Sequence, residues 1–306
     1  MKVMVTGAAG FLGAYVLRAL ERQGIAALAV GRTRPCDCAG ADFIAADLLA
    51  EQDLAPLCAQ ARASHLVHLA WFTRHGEYVS SPLNFRWVDA STRLVEAFCK
   101  IGGQHVLVAG SCAEYQSSDG RCDEDTTPLH PATVYGVAKD ATRRLLMALC
   151  AQHRVPCAWA RIFFPYGAGE ASPRLLPRLI AALQGKAPGF GVSGAAQRDF
   201  LHAGDVAQGI LCLSRSRTAG SYNLSSGRPV EIAGLVRELA QLLGKDPQAV
   251  LDLAPERPAD TPVLVGNNAK LRALGWRQEL TLGQGLEQML RDRDAGERVQ
   301  AVAHAV

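Results

Sequence analysis

No apolar run in this sequence approaches the roughly 18–20 residues that a bilayer-crossing helix needs, so a membrane span is not expected. Neither sign of charge dominates, with 32 basic against 29 acidic residues and a net charge of +3. That near-balance removes any case for a nucleic-acid partner or an anionic membrane surface. Aromatic residues make up only 6% of the chain. The nine cysteines include no Cys-x-x-Cys pair, and Cys36 and Cys38 stand one residue apart, which is not a zinc-knuckle spacing. No metal site is expected, and reduced thiols in a cytoplasmic protein are the natural reading. Met1 to Val5 enters a strand directly, leaving no room for a signal peptide. Internal repeats and low-complexity tracts are also missing. What is there is 306 residues, 49% of them hydrophobic and 20% charged, a globular composition with length for one large or two small domains.

The first informative stretch is Val3-Met4-Val5-Thr6 followed by Gly7-Ala8-Ala9-Gly10-Phe11-Leu12-Gly13. A short apolar strand runs into glycines at 7, 10 and 13, and then into a helix with Val16, Leu17 and Leu20 on its apolar face. In a dinucleotide fold one such glycine makes the tight turn, one lets backbone approach a pyrophosphate and one packs helix on strand. Phosphates would sit on the first-turn amides, with Gly7, Gly10, Phe11, Leu12 and Gly13 as the binding turn. A second strand, Ala26 to Val30, ends at Gly31-Arg32-Thr33-Arg34, and no Asp or Glu occurs between Gly24 and Cys36. An acid at that point would bind a ribose 2′-hydroxyl, whereas Arg32 or Arg34 suits a 2′-phosphate. NADP(H) is therefore preferred over NAD(H), with solvated loop arginines as the competing reading. Phe43 to Asp47 reads as a third strand. Asp47, with Leu48 beside it, either meets the adenine or caps the next helix.

His65 to Ala70 reads as a fourth strand, bringing Leu69 and Ala70 to the cofactor loop. A helix follows over about 82–101. Val106 to Gly110 is a fifth strand, ending in Ser111-Cys112-Ala113-Glu114-Tyr115, and Cys157 to Ile162 is a sixth. This alternation implies a doubly wound parallel sheet covered on both faces. A helix from about 132 to 153 carries Tyr135 and Lys139 at i and i+4, on one face one turn apart. An ammonium there, together with a positively charged oxidised nicotinamide, would favour the phenolate of a phenol whose free pKa is about 10, readying it for proton exchange with a hydroxyl or carbonyl. The spacing alone is a weak signal, common on solvated helical faces.

After Pro165 the pattern becomes irregular, with helices expected over 175–184, 204–213, 232–243 and 282–290 and a late strand at Tyr222 to Leu224. The domain division expected is a dinucleotide-binding unit over 1–165, with returns near 203–228, a mainly substrate-binding unit over 166–292, and a loosely anchored tail over 293–306.

Taken in order, several blocks resemble the extended short-chain dehydrogenase/reductase family, in its nucleotide-sugar epimerase/reductase branch. They are Thr6 to Gly13, His68-Leu69-Ala70, Tyr135 with Lys139, Arg161 to Gly167, Arg198 to Ala207, Tyr222 to Gly227 and Lys270 to Trp276. The resemblance implies a Rossmann sheet with a smaller C-terminal α/β substrate domain and a homodimer formed through the helices near 82–101 and 132–153. It implies Tyr135 as proton donor or acceptor, Lys139 on the nicotinamide ribose, and Ser111, with Cys112 as the alternative, at the reacting oxygen. Arg198 and Arg257 would meet the substrate pyrophosphate, as guanidinium forks suit phosphate. Two departures stand out. Trp87 occupies the place of a family asparagine, and Glu114 is one residue from Tyr115 rather than two, which argues against a dehydratase. The expected activity is NADPH-dependent reduction of a nucleotide-linked 4-keto-6-deoxy sugar, the alternative a nucleotide-sugar 4-epimerase with tightly held cofactor. A cofactor-binding regulator without turnover is the remote third.

Overall fold

The computed structural model describes residues 1–35, 40–116, 120–256 and 261–303. The chain runs β1 (Lys2–Thr6), α1 (Phe11–Arg22), β2 (Ala26–Gly31), β3 (Asp42–Ala45), α2 (Ala55–Ala61), β4 (His65–His68), α3 (Leu83–Lys100) and β5 (His105–Ser111). A single 3₁₀ turn (Cys112–Glu114) and the short β6 (Arg121–Cys122) lead to α4 (Val134–Gln152), β7 (Cys157–Ile162), β8 (Phe164–Tyr166) and α5 (Leu175–Leu183). Then come β9 (Gln197–Arg198), β10 (Phe200–His202), α6 (Ala203–Arg215), β11 (Gly220–Leu224), β12 (Val230–Glu231) and α7 (Ile232–Leu243). The chain closes with α8 (Gln248–Leu251), β13 (Val263–Gly266), α9 (Ala269–Ala273) and α10 (Leu282–Ala303).

Seven strands form one parallel sheet in the order β11-β7-β5-β4-β1-β2-β3. Alternate residues of each strand feed opposite faces. Val3 and Val5 of β1 pack with Val16, Leu17 and Leu20 of α1 and with Val206 and Ile210 of α6. Met4 of the same strand packs on the other face with Leu94, Val95 and Phe98 of α3 and Leu146 of α4. Both faces are thus covered, as a parallel sheet requires, and the fold is the doubly wound Rossmann-like sheet expected. The strand order reverses between β1 and β4, so a crevice opens beyond their carboxyl ends. A third core, centred on Leu179, Leu235, Leu239 and Leu286, joins α5, α7 and α10 beside the sheet.

Three expectations change. The fourth strand ends at His68, so Leu69 and Ala70 lie in the loop beyond it. The third strand ends at Ala45, so Asp47 lies in the turn beyond it. The last helix continues past Leu290 to Ala303, through the stretch read as a tail. No proline interrupts that stretch, and Arg291 pairs with Glu287 one turn earlier at 3.6 Å.

Candidate active site

Gly7 has φ +68°, and a Cβ there would lie 2.7 Å from the Ala70 amide nitrogen. The turn after β1 therefore presses on the loop after β4, at the switch point. Gly13 is as constrained, since a Cβ on it would meet the Gly7 carbonyl oxygen at 2.3 Å. Gly10 begins α1 with no side-chain cap, so the first-turn amides at Phe11, Leu12 and Gly13 are open to an anion. Bare backbone and a capless helix start together fit a dinucleotide pyrophosphate. Thr6 and His68 brace this turn from below. Thr6 Oγ1 is 2.6 Å from His68 Nδ1 and accepts from the Ala70 amide at 3.4 Å, while His68 Nε2 is 2.9 Å from Ser91 Oγ. Burial, with the Lys139 charge second, holds the imidazole down at about 3, so it stays neutral.

The catalytic candidates converge at the end of β5. Ser111 caps the 3₁₀ turn, its Oγ accepting from the Ala113 amide at 3.2 Å. Thr133 caps helix α4, its Oγ1 accepting from the Gly136 amide at 3.0 Å. Gly136 is required there because a Cβ would stand 2.3 Å from the Ala113 carbonyl oxygen. That close approach sets Tyr135 beside Ser111, near enough for the serine hydroxyl to lower the phenol's pKa. The Tyr135 amide donates to Val79 O at 3.0 Å.

The protein's own groups, without the charge of a dinucleotide, do not acidify the phenol. Burial pushes the Tyr135 phenol above its ordinary range, and the Ser111 hydroxyl pulls it back only in part. Lys139 lies 5.9 Å from the centre of that ring and donates to Ala109 O at 2.9 Å. Its own pKa is lowered to about 7 by burial, with Glu114 opposing. A dry pocket disfavours both charged forms, so proximity alone does not ionise the pair.

Cys112 sits one residue beyond Ser111, its thiol raised to about 12, chiefly by burial. A thiol held protonated is a weak donor, which leaves Ser111 the better hydroxyl. Glu114 is fully enclosed. It accepts from the Ser111 amide at 2.7 Å and from Trp159 Nε1 at 2.9 Å, and meets Arg161 Nε at 2.8 Å. Its oxygens are engaged structurally, in line with leaving it no acid role.

Arg32 and Arg34 are exposed just past β2, with Arg34 over the Phe43 ring. Asp47 Oδ1 accepts from the Leu49 amide at 3.0 Å, so it serves its own turn. Leu48 is buried, while Leu69 and Ala70 are half-buried at the switch point. Arg198 is half-buried on β9, with its charge acting on Cys112. Arg257 lies outside the described residues. Among those described, no group of three or more His, Cys, Asp or Glu is placed to hold a metal, and no helix is long and apolar enough to cross a membrane.

Sequence reasoning missed three residues around the pair. Trp71 lays its ring 3.8 Å from Lys139 Nζ, and Tyr78 meets Tyr135 edge-on at 4.9 Å. The third is Asn84, fully buried one helical turn before Trp87. It accepts from Trp71 Nε1 at 2.9 Å and donates to Tyr78 O at 2.7 Å and Ser81 O at 2.9 Å.

The sequence pattern of the NAD dependent epimerase/dehydratase family matches residues 3–225. A UDP-glucose 4-epimerase from Azospirillum brasilense is 29% identical, across 90% of this chain and 86% of that protein. UDP-glucose 4-epimerase 3 from Oryza sativa subsp. japonica is 27% identical, across 95% of this chain and 88% of its own. Among solved structures, MoeE5 in complex with UDP-glucuronic acid and NAD is 28% identical. It superposes with a TM-score of 0.83, over 96% of this chain and 100% of that one.

Proposed function

The chain belongs to the NAD-dependent epimerase/dehydratase family, and from that premise we propose that it is a nucleotide-sugar 4-epimerase. The observation that supports this most is the convergence of Ser111, Tyr135 and Lys139 at the carboxyl end of the sheet where the glycine turn opens. Relatives of nearly full length that are UDP-glucose 4-epimerases favour epimerisation over net reduction. A nucleotide-linked hexose would place its 4-oxygen between Ser111 and Tyr135. Tyr135 would take the proton from that hydroxyl and return it after the sugar has turned. Ser111 would hold the oxygen, and Lys139 would favour the phenolate while the base is needed. The dinucleotide, when bound, supplies the acceptor and donor of hydride. Gly7, Gly10, Phe11, Leu12 and Gly13 would hold its pyrophosphate, with Leu48, Leu69 and Ala70 lining the way to Lys139. Arg198, and Arg257 with it, would face the substrate phosphates.

Two observations favour the second reading, reduction of a nucleotide-linked 4-keto-6-deoxy sugar. The buried Tyr135 phenol holds its proton, the form a donor needs. Arg32 is exposed past β2 with no acid before Cys36, which supports NADP(H) in that reading. NAD(H), the cofactor in the MoeE5 complex, goes with the first. The experiment is to incubate the protein with UDP-glucose or UDP-galactose, then with nucleotide-linked 4-keto sugars and NADPH. Interconversion without net change in reduced nicotinamide supports the epimerase. Stoichiometric NADPH consumption would replace it with the reductase.

A homodimer is part of the proposal. Phe85 on α3 and Val137 and Leu145 on α4 are 63%, 49% and 50% exposed, an apolar face suited to a second copy of this chain. The unpaired cysteines among the described residues support a reducing, cytoplasmic setting.

A further inference from the structure

Lys139 is 4% exposed, and among the described residues no carboxylate forms an ion pair with its ammonium. Buried cations normally have a counter-ion. What this one has is a single carbonyl, Ala109 O at 2.9 Å, and the Trp71 indole face at 3.8 Å. The charged and titratable groups facing it are Tyr135 on its own helix, His68 from β4 and Glu114 from the 3₁₀ turn. His68 is neutral and Glu114 is already engaged by Arg161.

We infer that Trp71 is a positioning residue whose indole face substitutes for a counter-ion, fixing the Lys139 ammonium one turn from Tyr135. An aromatic face attracts a cation most strongly where water is excluded. The indole is itself immobilised on two sides. Its Nε1 donates to Asn84 Oδ1 at 2.9 Å, and its ring stacks on Trp87 at 6.1 Å. Asn84 in turn is tied to the Tyr78 and Ser81 carbonyls. A side chain gripped at edge and face can hold a flexible lysine where solvent would otherwise let it wander. The inference rests on Tyr135 and Lys139 being the proton-transfer pair, but its test needs no substrate.

The chain has six lysines, at positions 2, 100, 139, 186, 245 and 270. Labelling the lysine ε-carbons with carbon-13 gives a spectrum in which Lys139 is assigned by its loss in Lys139→Met. In the wild type, the ε-methylene protons of Lys139 should be displaced upfield of the other five by the indole ring current. An ordinary position would overturn the inference without any variant. Trp71→Leu keeps an apolar cover but removes the π face, and the Lys139 titration midpoint should fall by about one pH unit. Trp71→Phe, which retains an aromatic face, should recover most of that shift. A Leu variant titrating like the wild type also overturns it. Should these shifts appear in a protein with no turnover, the inference stands and the assigned reaction fails. Turnover with an ordinary Lys139 signal means the reverse.

Discussion

Arg161 Nε lies 2.8 Å from Glu114 Oε2, and both side chains are closed to solvent, at 1% and 0% exposure. Neither charge has water to fall back on, so each depends on the other. Trp159 Nε1 and the Ser111 amide satisfy the remaining carboxylate capacity. Breaking such a pair from one side should cost about 3–5 kcal/mol, because an uncompensated charge is left behind. Glu114→Ala should therefore lower the urea midpoint by that equivalent, and Arg161→Met by a similar amount. The double variant should lose clearly less than the sum of the two. A single-variant loss below about 1 kcal/mol would mean that water reaches the pair.

Tyr135→Phe removes only the phenol oxygen, which the proposed chemistry needs and the glycine turn does not. Turnover should fall by roughly 10²–10⁴, the usual contribution of one acid–base group. Dinucleotide binding, followed by calorimetry, should stay within about twofold, a change of under 0.5 kcal/mol. Retained turnover would remove Tyr135 from the mechanism.

The parts legible in the sequence were local. Gly7, Gly10 and Gly13 fall within one turn, and Tyr135 and Lys139 within one helical step, so spacing alone placed them. The bounds of β7 and α7 followed from a mostly apolar run and from helical periodicity. What escaped is long-range or energetic. Trp71 meets Lys139 across 68 positions of chain, and Glu114 meets Arg161 across 47. No periodicity reports such contacts. The raised pKa of the Tyr135 phenol was hidden for a related reason. Spacing tells that a cation is near, but burial, the largest cause of the raised phenol pKa, is a property of the assembled fold.

Arg32 separates the two cofactors by charge. A guanidinium on a 2′-phosphate makes a charge-assisted contact of about 1.5–3 kcal/mol, or roughly 10- to 100-fold in affinity. Arg32→Asp should weaken NADP binding by that factor and leave NAD unchanged or tighter. Equal effects on both dinucleotides would reduce Arg32 to a solvated loop residue.

The exposed apolar side chains of α3 and α4 make oligomerisation testable. Leu145 is half exposed on α4, so Leu145→Asp should leave the fold intact while opposing any helix-on-helix contact there. Sedimentation should show the wild type near twice the 32.6 kDa chain mass and the variant near one. A monomeric wild type would end the dimer proposal.

Lys139 should make stability depend on pH, with a sign fixed by the direction of its shift. Its pKa falls from 10.5 in the unfolded chain to about 7 in the fold. Between those values the unfolded chain binds the extra proton, so stability rises with pH across that window. Below about 7 the fold carries the full cost of an enclosed ammonium. Lys139→Met removes that cost and should be more stable than the wild type at pH 6–7, by roughly 1–3 kcal/mol. The whole shift would imply more, but the variant also leaves the Ala109 carbonyl without its donor and the Trp71 face without its cation. By pH 10 the folded lysine is neutral and the unfolded one has begun to lose its proton, so most of the advantage should be gone, the remainder fading above the unfolded value of 10.5. Urea midpoints for both proteins from about pH 6 to about pH 10 would trace this convergence. A constant gap would mean that Lys139 keeps its proton throughout, with the Trp71 face and its other neighbours outweighing burial.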